Sequence, residues 1–206
     1  MNEVNMKKIL LLSMFFSVAL SSFSLTMTHS LDFGGTQNIL LGENLAYGNM
    51  MVDVGYRFSV CPENLGFYTG ADVTFGVPTL TIWSLETGVL EGRTFHISWD
   101  PPENFFSDIK IPFGYRWEDS FIKGMGFYLG GGPSSQFIVT DNGLTSAFGL
   151  FGELGFQTDK TSGVGFHMGI QWGTYPLVYI NDWKQLTDGW GFETTLKMGM
   201  SWRRQK

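Results

Sequence analysis

Residues 162–175, SGVGFHMGIQWGTY, carry glycine or a polar residue at every second position and, for most of their length, a large apolar residue at each position between. Side chains alternate across a β-strand. Val164, Phe166, Met168, Ile170 and Trp172 therefore share one face, and Gly163, Gly165, His167, Gly169, Gln171 and Gly173 share the other. The fold turns on which of these faces looks inward.

The same alternation recurs along the chain, and a helical 3.6-residue period does not. It predicts eight strands at about 25–36, 49–60, 65–77, 104–117, 122–132, 145–157, 162–174 and 189–203. The first is the least regular, because His29 sits among its apolar members. Short links (CPEN, EDSF, TDKTS) alternate with long ones near 37–48, 78–103, 133–144 and 175–188. In an up-and-down sheet this puts the short turns and both termini at one end and the long loops at the other. The 78–103 link is long enough for a hairpin extension in which TLTIW faces TFHISW.

From Met50 to Trp202, the seven later strands show one face on which only Thr69, Ser107, Gly131, Gly152 and Thr194 are not apolar and none is charged. The opposite face carries ten charges, and most of its remaining positions are glycine. Its bulky members are Tyr68, Tyr128 and Phe151, and its charges are Asp53, Arg57, Asp72, Asp108, Lys110, Arg116, Glu153, Glu193, Lys197 and Arg203.

A soluble barrel or sandwich would bury the apolar face, whereas a membrane barrel would turn it to lipid and pair the charges inside. Three features favour the membrane. Glycine on a solvated face weakens a strand without a packing return, but relieves crowding inside a narrow barrel. The apolar positions are rich in large aromatics. These aromatics also fall into two sets: Tyr56, Phe58, Phe67, Trp117, Phe156, Phe166 and Trp202 toward the short turns, and Phe75, Phe105, Phe127, Phe148, Trp172 and Trp190 toward the long loops. Two aromatic girdles are the mark of a barrel in a bilayer, and about 11 tilted residues span its roughly 25 Å apolar band.

The composition agrees. Glycine supplies 27 of 206 residues, about twice the usual share, and charged residues only 16%, against about 25% ordinarily. A net charge of -6 gives no support for a nucleic-acid partner. Cys61 is the single cysteine, which excludes an internal disulfide. Lys7 and Lys8 precede the apolar run ILLLSMFFSVAL and then SSFS. This reads as a secretory signal over 1–24, too short for a spanning helix, ahead of a barrel domain over 25–206. Met6 makes a better start of that signal than Met1, since MNEVN adds an acid to a region that should be basic.

The order of signal, eight alternating strands, short turns and long loops resembles the small eight-stranded bacterial outer-membrane proteins, the group of the OmpA transmembrane domain, OmpX and OmpW. The resemblance is one of pattern over the whole mature chain. It implies an all-β, eight-stranded antiparallel up-and-down transmembrane barrel, monomeric, with membrane lipid around it. Such chains usually end on an aromatic residue, but here RRQK follows Trp202. That departure from the Gram-negative pattern suggests a lineage with a looser end rule, such as the spirochaetes.

Three roles follow for such a barrel. One is a structural or surface-interaction protein whose loops, carrying Trp83, Tyr179 and Trp183, meet an extracellular ligand. A second is a narrow or gated pore, with His167 as a titrating group in the lumen. A third is lipid-modifying catalysis from His96 and Ser98 with Asp100 or Asp108, which two residues at this spacing barely support. No cofactor, phosphate-loop or metal pattern is expected. GGGP at 130–133 ends a strand and lacks the strand-to-helix setting of a nucleotide site.

Overall fold

The computed structural model describes residues 25–41, 45–62, 66–85, 96–98, 105–140, 143–158, 163–180, 184–185 and 189–205. The predicted signal, over 1–24, and Asp100 and Trp183 lie outside these residues.

The described residues form strands β1 (Leu25–Leu41), β2 (Leu45–Pro62), β3 (Phe67–Leu85), β4 (His96–Ser98), β5 (Phe105–Lys110), β6 (Phe113–Ile122), β7 (Met125–Thr140), β8 (Gly143–Thr158), β9 (Gly163–Ile180), β10 (Lys184–Gln185) and β11 (Trp190–Gln205). Every pairing is antiparallel, and β1 is bonded to both β2 and β11. The sheet therefore closes into an eight-staved barrel, in which β5 and β6 together make the fourth stave. Closure leaves no edge unpaired around the ring.

The fourth stave is broken at Ile111–Pro112, where proline has no N–H to give. The ladder survives the break because Gly70 N donates to the Pro112 carbonyl at 3.2 Å, and Ile111 N donates to that of Pro133 at 3.1 Å.

Several boundaries differ from the sequence reading. EDSF is strand; the turn follows it at Lys123–Gly124, where Gly124 takes φ 83° between the paired Ile122 and Met125. The supposed links at 37–48, 133–144 and 175–188 are mostly strand, leaving 42–44 and 141–142 between paired neighbours. The ladders run straight through these turn-forming residues: β1–β2 and β7–β8 stay in unbroken register out to Leu41↔Ala46 and Thr140↔Gly143, and β8–β9 continues past a register shift at Phe148/Leu150 to Thr145↔Ile180. The hairpin extension is present, with Trp83 opposite His96 and Thr81 opposite Ser98. Phe127 belongs to the short-turn girdle, its ring 5.7 Å from that of Trp117.

The faces settle the opening question. Val164, Phe166, Ile170 and Trp172 are exposed on the outside, while His167 and Gln171 are buried in the lumen. Phe113 and Leu150 are 54% and 63% exposed. Every inner-face charge named above is buried except Arg203, which is half-buried. His29 faces out beside the Phe58 ring, with Nδ1 2.6 Å from the Tyr56 hydroxyl, as part of the girdle near the termini. Gly152, an apparent gap in the apolar face, lies beneath the Trp172 ring, which a Cβ there would meet at 2.6 Å.

Candidate functional site: the charged lumen

The inner glycines make room for tyrosine tips. A Cβ on Gly169 would stand 2.2 Å from the Tyr128 hydroxyl, and one on Gly130 would stand 2.2 Å from that of Tyr68. The two tyrosines meet edge to face and hold the Arg57 guanidinium 5.5 Å and 5.2 Å from their ring centres.

Arg57, from β2, forks onto Glu153 of β8 with two bonds of 2.7 Å. Glu153 also accepts from the Tyr68 hydroxyl at 2.7 Å and from Gln171 Nε2 at 3.1 Å. The same Gln171 nitrogen donates to Asp72 at 2.9 Å. Asp72 also accepts two bonds from Lys197, at 2.9 and 3.1 Å, and Lys197 donates to Thr74 at 2.7 Å.

One layer toward the loops, Lys110 donates to Glu193, to Gln171 Oε1 at 3.0 Å, and pairs with Asp108 at 2.6 Å. Glu193 further accepts from Tyr175, Thr195 and Gln136, and Asp108 accepts from Ser134 at 2.9 Å. Thr36 donates to Asp53 at 2.7 Å and links it to Thr195.

Five carboxylates (Asp53, Asp72, Asp108, Glu153, Glu193) thus face three cations (Arg57, Lys110, Lys197) in one connected set. Hydroxyl and amide donors supply what the missing cations do not. A buried carboxylate needs such donors, since each one left bare costs its full desolvation.

Arg116 stands apart from this set. It donates to Glu118 at 2.7 Å, and Arg203 donates to the same carboxylate from β11, so the three join β6 to β11 across the short-turn mouth. Burial works to raise the Glu118 carboxyl, but hydrogen bonds and charge from Arg203 and Arg116 outweigh it and hold the group below the ordinary carboxylate range.

Two lumen features had weak sequence signals. Asp32, buried on β1, lies 2.9 Å from His167 Nε2; the irregular first strand has no inward phase that its sequence alone fixes. An apolar cluster of Leu40, Met51, Phe106, Ile138, Ala147, Tyr175 and Val178 fills the loop end of the lumen. Leu40, Ile138, Tyr175 and Val178 come from segments read as links, while Met51 and Phe106 were visible in strands as single apolar residues among the inner charges.

Asp108 is committed to Lys110 and Ser134 inside the barrel, and its backbone partner Thr74 precedes the Thr81–Trp83 segment that pairs with His96–Ser98. Among the described residues no group of metal-binding side chains occurs.

A closed eight-strand ring with greasy exterior and ionic interior is now in view. The chain is similar to the small outer-membrane barrels. Neisserial surface protein A aligns at 12% identity with a TM-score of 0.47, over 84% of this chain and 96% of that one. OprG from Pseudomonas aeruginosa aligns at 9% identity and a TM-score of 0.44, over 88% and 96%. Ail of Yersinia pestis, in complex with the heparin analogue sucrose octasulfate, aligns at 16% identity and a TM-score of 0.36, over 86% and 99%. No family model and no curated protein matches the sequence.

Proposed function

We propose that this chain is an integral outer-membrane protein, exported by a signal in residues 1–24, whose lumen is a closed plug and whose work is structural or done at the loop end. The observation that carries this reading is the filled cross-section. Lys110, Glu153, Gln136 and Asp108 are essentially inaccessible, and the apolar cluster around Phe106 and Tyr175 covers them on the loop side. Eight strands enclose only enough space for side chains, and here the side chains bond one another. A pore would have to break ion pairs that are costly to separate in this setting.

Surface interaction then falls to the loop end, where Trp83 belongs to the extended hairpin. Tyr179 packs against Phe148 with ring centres 5.9 Å apart and serves the rim. Refolded into planar bilayers, the protein should pass no discrete current steps; reproducible single-channel steps would overturn the closed lumen.

A further inference from the structure

Between the two aromatic girdles, the outward positions of the described strands hold apolar residues, glycine, serine and threonine, with one carboxamide among them, Gln37 on β1. It is exposed, and its amide has no hydrogen-bond partner within the chain. Gln37 is in register with Thr194 of β11 on one side and Met50 of β2 on the other. Met50, Val52, Phe192 and Leu196 around it are exposed and apolar.

The depth of this residue follows from the ladder. Gln37 and Thr194 lie four residues from the Leu41↔Trp190 pair and eight from the His29↔Trp202 pair. At about 3.3 Å per residue and a tilt of about 45°, they sit about 9 Å inside the Trp190 girdle and about 19 Å from the Trp202 girdle. An amide there has given up water, and acyl chains neither donate to it nor accept from it. Lipid headgroups stand at the level of the girdle, farther than a glutamine side chain extends.

We infer that Gln37 is the centre of an interface between two copies of this chain in the membrane, with the two carboxamides paired across a twofold axis. The inference rests on the lipid-facing orientation proposed above, and it departs from the monomer that the family resemblance implies. Symmetry selects the partner. Copies inserted in the same direction are related by an axis along the bilayer normal, and such an axis keeps every residue at its own depth. A partner of another kind would have to bring a matching polar group to this level, whereas a second copy brings one by construction. A carboxamide both donates and accepts, so two of them close a reciprocal pair.

The surface beside Gln37 permits the approach. Gly35, two residues along β1 on the same face, is exposed, and a Cβ there would meet only the Met51 carbonyl, at 3.6 Å. The wall is low at that point, so two backbones can come close, as small residues allow between membrane helices.

Sedimentation of the refolded full chain in density-matched micelles, over a range of protein-to-detergent ratios, tests the interface. A reversible monomer–dimer equilibrium is expected. Gln37→Leu should shift it toward monomer by at least about threefold, the equivalent of a weak side-chain hydrogen bond in a membrane, and Gly35→Leu should shift it the same way. In vesicles, in a Cys61→Ser background, Gln37→Cys should cross-link two copies on oxidation. Leu129→Cys, on the outer face of β7 across the barrel, should not. A monomer at every ratio, a dimer unchanged by Gln37→Leu, or equal cross-linking at the two positions would overturn the proposal. If Gln37→Leu does not refold, the wild-type sedimentation and the cysteine pair still decide. A chain that stays dispersed in buffer without detergent would overturn the lipid-facing orientation and the interface with it, whereas a micelle-bound monomer would overturn the interface alone.

Discussion

At the scale of single residues, the lumen is sensitive because its charges are bonded to one another and not to water. Lys197 gives three hydrogen bonds, two to Asp72 and one to Thr74. Lys197→Ala leaves Asp72 buried with one cation fewer, a loss of about 3–5 kcal/mol for a broken buried pair. Lys123, exposed in the tight turn, should cost within about 0.5 kcal/mol when changed to alanine. Equilibrium unfolding of the two variants in lipid vesicles measures the gap. The glycines allow a sharper test, since the nearest atom to a Cβ at Gly169 would be the Tyr128 phenolic oxygen at 2.2 Å, with the Leu154 carbonyl next at 3.0 Å. Gly169→Ala should destabilise by about 1–3 kcal/mol through overpacking. Tyr128→Phe, which removes that oxygen, should recover part of the loss in the double variant, so the two changes should be non-additive in the same unfolding assay.

At the scale of elements, Glu118 fastens β6 to β11, two strands that are not neighbours in the sheet. Its folded-state affinity for a proton is lower than in the unfolded chain, so unfolding takes up protons as the solution is acidified. The contribution of the clamp is therefore full at neutral pH and is lost as pH falls through the depressed folded value. Glu118→Gln should be less stable than wild type at neutral pH, and the difference should close in strong acid. Unfolding midpoints of the two proteins across that range check the sign. This clamp was not legible in the sequence, where EDSF reads as a turn. A turn reading removes Glu118 from the lumen and leaves Arg116 without its partner. Asp32 was missed for a related reason, because a strand with His29 on its apolar face gave no firm phase. The inward positions of Asp53, Asp72, Glu153 and Lys197 were legible because period-two alternation fixes them wherever the ladder is regular. Who bonds whom across the lumen was not, since barrel stagger sets those pairs and sequence spacing does not.

At the scale of the whole molecule, the outer surface makes sense only against an apolar solvent. Leu196 is midway between Trp190 and Trp202 on β11, with Trp172 and Ile170 on the adjoining strand, and it is 46% exposed. Exposed apolar side chains flank it along both strands, with no charge among them. In a soluble protein, an arginine at such an exposed point would reach water and cost little. In a bilayer, it must be drawn to the centre of the apolar band, at about 2–4 kcal/mol near the midplane and about 0–1 kcal/mol near an interface. Leu196→Arg should therefore destabilise the barrel strongly in vesicles, and Met200→Arg, beside the Trp202 girdle, only weakly. Equal small effects at both positions would mean that water touches this face, and the lipid-facing orientation would be wrong. A depth-dependent cost would locate the bilayer along β11 between its two tryptophans. Arg203, bound to Glu118, would then stand just beyond the apolar band.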